Sequence, residues 1–354
     1  MTDFITNPES ANTKNFTYVC EYIWIGGNNE IRSKTKVITQ TYIESELEPT
    51  SYPIWNYDGS STGQASSDGN TEVILRPCSV YPDPLRKNKD AINVLILCDT
   101  YDSQNNPLPT NTRFDANNIF TRYQSLEPWF GLEQEYFIES NEKYMDNNIC
   151  TLDDGEHYCG KVNFTQHERV LVEEHLNACI LCGLTISGIN SEVACRQWEF
   201  QIGPCTGIQS GDQMTVARYL LERISEKHGC IINYNPKPYT NVNGSGCHVN
   251  FSTMGTRELN GMEVITQCMS KLEQNHEKHI MVYGNNNNIR LTGIHETSSY
   301  DKFSWGIGTR NTSIRIPNET AKNGYGYFED RRPASNIDPY IVTSTIFKTC
   351  CIEE

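Results

Sequence analysis

The feature that most constrains this chain is an apolar stretch interrupted by two acids, WFGLEQEYFIE at positions 129–139. In a β-strand, alternate residues point to opposite faces, so Glu133 and Glu135 share one face, and the other face carries Phe130, Leu132, Gln134, Tyr136 and Ile138. Two carboxylates on one strand face repel each other. That face is either exposed to solvent, the usual explanation of an isolated Glu-x-Glu pair, or it holds a divalent cation that both acids bind.

A second alternating segment, QWEFQI at 197–202, places Glu199 on the face opposite its apolar side chains. Glu192 lies seven residues earlier, and an odd separation would put the two acids on opposite faces of one regular strand. A bend or loop is therefore predicted between Glu192 and Glu199 if both serve one site.

Two later segments add an imidazole and a third strand with an acid. NGSGCHVNFS at 243–252 carries two glycines that permit close backbone approach to a ligand, followed by His248 on a short strand. A lone histidine there is usually an ordinary hydrogen-bonded one. YFEDR at 327–331 puts Glu329 and Arg331 on one face with Tyr327. Glutamates with one histidine form an oxygen-rich ligand set that suits Mg²⁺ or Mn²⁺ and not structural zinc.

Four arginines lie in the same half of the chain: Arg290, Arg310, Arg315 and Arg331. Guanidinium groups bind carboxylate and phosphate bidentately, although pairing with surface acids is a fair alternative for any one of them. A divalent metal with convergent arginines is the equipment of phosphoryl transfer. These residues by themselves predict a metal-dependent enzyme that acts on phosphate and carboxylate.

Composition excludes several function classes. The 354 residues include 44 Asp+Glu against 29 Lys+Arg, a formal net charge of −15, which argues against a nucleic-acid partner. No apolar run approaches the roughly 20 residues that a membrane span needs, and the polar start argues against a signal or transit peptide. The 14 cysteines are scattered, unlike a dense disulfide framework. We expect a reduced, cytoplasmic protein with no membrane partner.

Element signals divide the chain into two domains, 1–108 and 109–354, at the Pro- and Asn-rich segment 104–112. Strand signals flank a Gly-Gly-Asn-Asn turn and predict a hairpin of 16–25 with 31–38, and 91–98 is predicted to be a buried strand. Helices are predicted at 168–181, at 212–228 with Asp212 as N-cap, at 258–282 with a solvated face that includes His276, and at 335–350. Cys179 and Cys182, inside an apolar helix, are predicted to be buried packing residues.

Seven segments, in order, resemble the shorter, eukaryotic-type class of glutamine synthetases. They are WNYDGSST (55–62), PWFGLEQEY (128–136), QWEFQIGPC (197–205), NGSGCHVNFS (243–252), LTGIHETS (291–298), SIRIP (313–317) and GYFEDRRP (326–333). The likeness runs from about residue 18 to residue 350. One such motif is weak evidence, whereas seven at family spacing make a specific match.

The resemblance implies an α+β fold, with a small N-terminal β-grasp domain and a larger catalytic domain built on a curved antiparallel β-sheet with flanking helices. It also implies a homo-oligomer of stacked rings, expected to be a decamer, whose active sites lie between subunits. The implied reaction is ATP-dependent synthesis of L-glutamine from L-glutamate and ammonia through an enzyme-bound γ-glutamyl phosphate. Two or three Mg²⁺ or Mn²⁺ ions per site are expected, with ATP as co-substrate.

Site residues are carried over by position. One metal ion is expected at Glu135, Glu192 and Glu199, and the second at Glu133, His248 and Glu329. Contacts to glutamate and ammonium are expected from Asn241, Asn243, Gly244, Arg290, Arg331 and Tyr158. Contacts to ATP are expected from Glu133, Glu199, Asn250, Phe251, Ser252, Arg310, Arg315 and Tyr327. The residues expected to act in catalysis are Asp58, Glu296 and Arg310.

An ammonium pocket is the least usual part of this expected site. Asp58, Tyr158, Glu192 and Glu296 match its residues, and acids there would attract NH₄⁺ and take the proton it must lose. Glu296 is expected on a flap that shields the acyl phosphate from water. Asp58 is expected to serve the site of the neighbouring subunit.

Three departures from the family pattern stand out. Val242 replaces a typical tryptophan, and the loops at 154–158 and 285–289 are short. Two alternative functions remain: a sister ligase that joins glutamate to another amine, and a non-catalytic homologue that keeps only the ring assembly. The first would lose part of the ammonium pocket, and the second would have no reason to keep six metal ligands and four arginines.

Overall fold

The computed structural model describes residues 15–41, 46–140, 157–160, 166–240, 242–294 and 297–353. Its first sheet has the strand order β2-β1-β5-β4-β3. These strands are β1 (Asn15–Ile25), β2 (Ile31–Thr41), β3 (Trp55–Asp58), β4 (Glu72–Pro82) and β5 (Ile92–Tyr101). β1 and β2 are antiparallel with Ile25 opposite Ile31, which confirms the hairpin. β5, parallel to β1, is largely buried, as its continuous apolar run predicts.

The second sheet has the order β11-β12-β13-β10-β6-β8-β7, and β9 also pairs with β6. Its strands are β6 (Trp129–Ser140), β7 (Ile186–Ser191), β8 (Gln197–Thr206), β9 (Cys230–Asn233), β10 (Cys247–Ser252), β11 (Trp305–Ile307), β12 (Ile314–Ile316) and β13 (Phe328–Asp330). The sheet is curved, and every pair of strands is antiparallel except β11 with β12. The expected α+β class, with a separate N-terminal sheet, is confirmed.

Helices cover the apolar face of the large sheet. They are α1 (Thr112–Arg122), α2 (Gln166–Leu181), α3 (Gln209–Lys227), α4 (Met254–Arg257), α5 (Gly261–Gln274), α6 (His276–Ile280), α7 (Asn318–Asn323) and α8 (Pro339–Cys351). α1, α3 and α5 pack against α8, and α3 also packs on β8. Phe130, Leu132 and Tyr136 of β6 point into this core, as the alternation predicts. Among the described residues, no helix combines the length and apolarity of a membrane span.

Three helix predictions need correction. α3 begins at Gln209, so Asp212 lies inside its first turns and not at the N-cap. The predicted helix at 258–282 is interrupted at Asn275 between α5 and α6. His276 is buried, not solvated, because its ring contacts Tyr300 and Arg332. α8 begins four residues later than predicted, where Asp338 accepts hydrogen bonds from two backbone N–H groups of its first turn.

A buried ion pair joins the first sheet to the helices. Arg113 of α1 donates from Nε to Asp212 Oδ1 over 2.7 Å and from its terminal nitrogens to Asp212 Oδ2 (2.9 Å) and Asp99 Oδ2 (3.3 Å). Asp212 also accepts from Ser79 of β4 and from Tyr340 of α8. α1 follows the proposed boundary at 104–112, and the two-domain division stays a prediction.

Candidate active site

Two clusters of ligand-type side chains lie on the polar face of the large sheet. Strand register creates the first, because Glu133 of β6 lies directly opposite His248 of β10. Glu329, on β13 beyond β10, completes the set, and the three ligand atoms lie within 4.8 Å of one another. His248 Nδ1 is 3.5 Å from a Glu133 oxygen and 3.4 Å from a Glu329 oxygen.

The second cluster forms on the other side of β6. Glu135 lies opposite Glu199 of β8, and Glu192 joins them within the same 4.8 Å limit. β7 ends at Ser191, and the chain bends back to β8 through Arg196, which has a φ of 60°. The bend predicted between Glu192 and Glu199 is therefore present, and it brings both acids to one site.

Burial distinguishes between the two interpretations of the Glu-x-Glu pair. Glu135 is only 8% exposed, so the solvated-face interpretation is wrong for it. Burial and the nearby Glu192 carboxylate raise the pKa of Glu135, and burial together with the Glu133, Glu135 and Glu192 carboxylates raises the pKa of Glu199. Two buried acids and the half-buried Glu192, which oppose each other's ionisation, favour a cation, and this donor set fits Mg²⁺ or Mn²⁺.

Neutral amides orient the carboxylates. Gln197 donates to Glu135 over 3.4 Å and to the Gly244 carbonyl over 3.0 Å, and Gln201 donates to Glu199 over 2.7 Å. Asn190 donates to Glu192, and Asn250 to Glu133. Sequence reasoning assigned no role to Gln197, Gln201 and Asn190, although the strand alternation places Gln197, Glu199 and Gln201 on one face and could have indicated one.

A small cleft of about 40 Å³ lies beside the second cluster. It contains several predicted substrate residues together with three that the sequence did not single out for this site. Its lining is Glu135, Glu192, Gln197, Asn243, Gly244, His248, Arg290, Thr297, Ser298 and Arg331. Gly246 is required next to it, because a Cβ atom there would lie 2.4 Å from an Arg290 nitrogen and 2.8 Å from His248 Nε2.

Arg290 is the most buried arginine of the cleft, at 4% exposure. Burial lowers the pKa of its guanidinium to about 10, so it stays charged near neutral pH. It donates to the carbonyl groups of Arg331 (3.0 Å) and Arg332 (3.1 Å) and to His248 Nε2 (3.2 Å). A charged group held at this depth can bind a substrate carboxylate strongly.

Two further arginines meet Glu329. Arg331 contacts one of its oxygens at 2.8 Å, and Arg315 forms an ion pair with the other. Arg331 Nε also donates to the Arg310 carbonyl, and Arg290 donates to the Arg331 carbonyl, so all four predicted arginines are linked around the first cluster. Arg310 itself is exposed, and its guanidinium lies 6.0 Å from the centre of the Tyr158 ring.

An open cavity of about 260 Å³ adjoins the first cluster. Its lining is Glu133, Asn250, Arg315 and Tyr327, which are four of the residues predicted to contact ATP, together with Gly308, Pro317 and Asn318. The Phe251 side chain is instead fully buried against Phe130 and Phe328, so this residue could contribute only its backbone. Ser252 is buried too, and its hydroxyl accepts a hydrogen bond from Arg257.

The ammonium-pocket residues are only partly described. Asp58 is exposed at the end of β3, where it accepts hydrogen bonds from the Ser60 hydroxyl and backbone N–H that lower the pKa of Asp58. It is not among the residues that line the cleft. Tyr158 is 40% exposed. The backbone N–H of the next residue, Cys159, donates to the carbonyl of Ser191, which precedes Glu192. Glu296 and Asn241 lie outside the described residues.

Comparison with known proteins gives a consistent result. The family model described as "Glutamine synthetase, catalytic domain" matches residues 112–351. A putative glutamine synthetase of Acanthamoeba polyphaga mimivirus is 48% identical over 97% of this chain and 97% of its own. A glutamine synthetase of Fusarium solani subsp. phaseoli is 46% identical over 93% and 92%. The cytosolic isozyme 1-1 of Oryza sativa subsp. japonica is 44% identical over 99% and 98%.

Proposed function

Since the chain belongs to the glutamine synthetase family, we propose that it is a glutamate–ammonia ligase that forms L-glutamine with ATP at the cleft beside its two ligand clusters. The single observation that carries this proposal is the pair of clusters on both sides of β6. Each cluster offers three ligand atoms, and arginine side chains lie next to both clusters. The activated intermediate of this proposal is a γ-glutamyl phosphate.

Divalent cations, Mg²⁺ or Mn²⁺, would be held by Glu133, His248 and Glu329 on one side and by Glu135, Glu192 and Glu199 on the other. When bound, they would neutralise phosphate charge and stabilise it as it shifts during transfer. Support comes from the oxygen-rich donor set and from acids whose mutual repulsion a cation would relieve.

The arginines have separate roles in this proposal. Arg290 and Arg331 face the cleft of the second cluster and would grip the carboxylates of L-glutamate, with Asn243 and Gly244 beside them. Arg315 lines the larger cavity with Asn250 and Tyr327, where ATP would lie. Arg310, exposed near Tyr158, would reach the phosphoryl group in transfer.

Ammonia would enter near Tyr158 and Glu192 and meet acids that hold NH₄⁺ and take its proton. Asp58 and Glu296 would complete this pocket, with Glu296 excluding water from the acyl phosphate. Because Asp58 is exposed and outside the cleft lining, its role fits contribution to a neighbouring subunit. The proposal therefore includes a homo-oligomer of stacked rings, a decamer in the family. The similarity to a cytosolic isozyme supports a cytoplasmic location.

Phosphate release from ATP tests the function directly. We expect release only when L-glutamate and ammonia are both present, and its loss on chelation with recovery on adding Mg²⁺ or Mn²⁺. Release that requires another amine would identify the sister ligase. No release under any of these conditions, from protein that is folded, would favour the non-catalytic homologue.

A matched pair of variants tests the second cluster. Glu135→Gln removes the charge of one proposed metal ligand. Glu139→Gln makes the same change four residues later on the same strand, where Asn233 and Tyr239 contact the carboxylate. We expect Mn²⁺ stoichiometry to fall in Glu135→Gln and to stay unchanged in Glu139→Gln. Equal stoichiometry in both variants would remove Glu135 from the metal site.

A further inference from the structure

The segment that carries Glu329 and Arg331 has a second, inward-facing side. Asp330 and Arg332 alternate with those two residues and are fully buried. Arg332 donates from Nε to Asp330 Oδ1 over 2.9 Å and from a terminal nitrogen to Asp330 Oδ2 over 2.6 Å. This bidentate pair lies behind the metal-ligand face and belongs to none of the groups assigned to substrate or metal.

A chain of hydrogen bonds leads from α8 to this pair. Tyr283 donates its hydroxyl proton to Asp330 Oδ2 over 2.7 Å. His279 Nδ1 lies 2.5 Å from the Tyr283 oxygen, and His279 Nε2 lies 2.8 Å from the Thr349 hydroxyl. Tyr283 and His279 are both fully buried. The network therefore spans from helix α8 to the strand of the first cluster.

Hydrogen-bond accounting fixes the direction of this chain. An ionised Asp330 only accepts, so the Tyr283 proton points to Asp330 and the Tyr283 oxygen must accept from His279 Nδ1–H. Burial lowers the pKa of His279 to about 3, so its ring is neutral and Nε2 is left to accept from Thr349. The Thr349 hydroxyl also lies 3.5 Å from a Glu353 oxygen, a longer contact than the 2.8 Å to His279. Hydrogen bonds in such a line strengthen one another at low dielectric.

The same segment holds the arginine of the cleft. The carbonyl groups of Arg331 and Arg332 accept from Arg290, and Asn287 donates to the Arg332 carbonyl over 2.8 Å. Arg290 in turn contacts His248. A fixed backbone at 330–332 therefore positions Glu329, which is adjacent to it, and also His248, through the contact of His248 with Arg290.

We propose that Tyr283 and His279 are positioning residues, which act through Asp330 to hold Glu329 and the backbone behind Arg290 in place for metal and substrate. This inference rests on the proposed metal-binding role of Glu329. The outer partners of metal ligands typically contribute about 10–100-fold in metal affinity. Tyr283 contacts Asp330 and not the ligand Glu329 itself, so we expect its contribution to metal affinity to lie at the low end of that range.

The test is a Mn²⁺ titration of the full chain by calorimetry, with Mn²⁺ as the only ligand. Tyr283→Phe should raise the dissociation constant of one class of site about tenfold. That class is identified as the one that Glu329→Gln abolishes. The class that depends on Glu135 should keep its affinity in Tyr283→Phe. A general loss of structure would weaken both classes.

Tyr136→Phe is the matched control. Tyr136 is also fully buried and neighbours the ligand Glu135, but its hydroxyl has no hydrogen-bond partner among the residues that the structure describes. This variant should leave both classes unchanged. His279→Gln, which keeps a donor for Tyr283, should bind Mn²⁺ more tightly than His279→Leu.

Two negative outcomes are distinguishable. If wild-type protein binds no Mn²⁺ at either class, the proposed function fails. If wild-type protein binds Mn²⁺ and folded Tyr283→Phe binds it equally well, or loses both classes together, the positioning role is overturned while the metal site stands.

Discussion

Asp212→Asn should destabilise the described core strongly. Asp212 is 1% exposed and accepts four hydrogen bonds: two from Arg113, at 2.7 and 2.9 Å, one from Tyr340 at 2.9 Å and one from Ser79 at 3.1 Å. The substitution keeps the size of the side chain, but it turns one acceptor into an NH₂ donor that faces other donors. Arg113 would lose its charged partner and one of its two contacts to residue 212, and it would keep the longer contact to Asp99.

The expected magnitude follows from burial. Breaking a buried ion pair by removing one partner costs about 3–5 kcal/mol, because the remaining charge is left uncompensated. The Arg113 side chain is 12% exposed, so solvent can screen little of that charge. Asp99 stays 3.3 Å from Arg113 and compensates part of its charge, so we expect the free energy of unfolding to fall by about 3 kcal/mol, the lower end of that range.

Urea unfolding followed by tryptophan fluorescence measures this change through the midpoint, provided that the slope stays constant. Asp301→Asn is the control, since Asp301 is exposed and its loss should cost no more than about 0.5 kcal/mol. A cost below about 1 kcal/mol for Asp212→Asn, or one equal to the control, would refute the assignment of this ion pair as the connection between the first sheet and the helices.

Three further predictions concern the site, acid stability and the ammonium pocket. Gly246→Ala should lower kcat/KM for glutamate by about tenfold or more, because its Cβ atom would displace Arg290 from the substrate, and steady-state kinetics will measure this loss. Burial lowers the folded-state pKa of His175 to about 4 and of His279 to about 3, below about 6.5 in the unfolded chain, so stability should fall by about 1–2 kcal/mol for each between pH 7 and pH 5. His175→Gln should reduce that loss in urea titrations at the two pH values, and an unchanged loss would contradict its titration. Asp58→Asn should slow turnover with ammonia by about 10²–10⁴ and slow turnover with uncharged hydroxylamine less, whereas equal losses would remove Asp58 from the ammonium pocket.

Local alternation predicted which way the key side chains face. The pattern in 129–139 predicted a strand with Glu133 and Glu135 on one face, and the odd spacing of Glu192 and Glu199 predicted the bend between them. Both follow from period-two geometry, which a sequence shows directly. Resemblance to a family, not periodicity, supplied the grouping of the acids into two clusters.

Long-range pairing set the limits of prediction. No local signal reveals that Glu133 faces His248, since their register joins strands more than a hundred residues apart. Asp212 has the sequence appearance of an N-cap, but its partner Arg113 lies on another helix, and tertiary pairing overrode the local pattern. His276 looked solvated for the same reason, because the side chains that bury it come from distant segments.

The position of β6 between β10 and β8 has a consequence for how this site can change in evolution. Side chains that leave a strand two residues apart emerge about 7 Å apart, a spacing that the polypeptide repeat sets and side-chain substitution cannot alter. Insertion of one residue between Glu133 and Glu135 would turn one acid from the polar face to the core. The backbone thus sets the distance between the two ligand clusters. Substitutions during evolution can replace the ligand side chains, but they cannot change this distance.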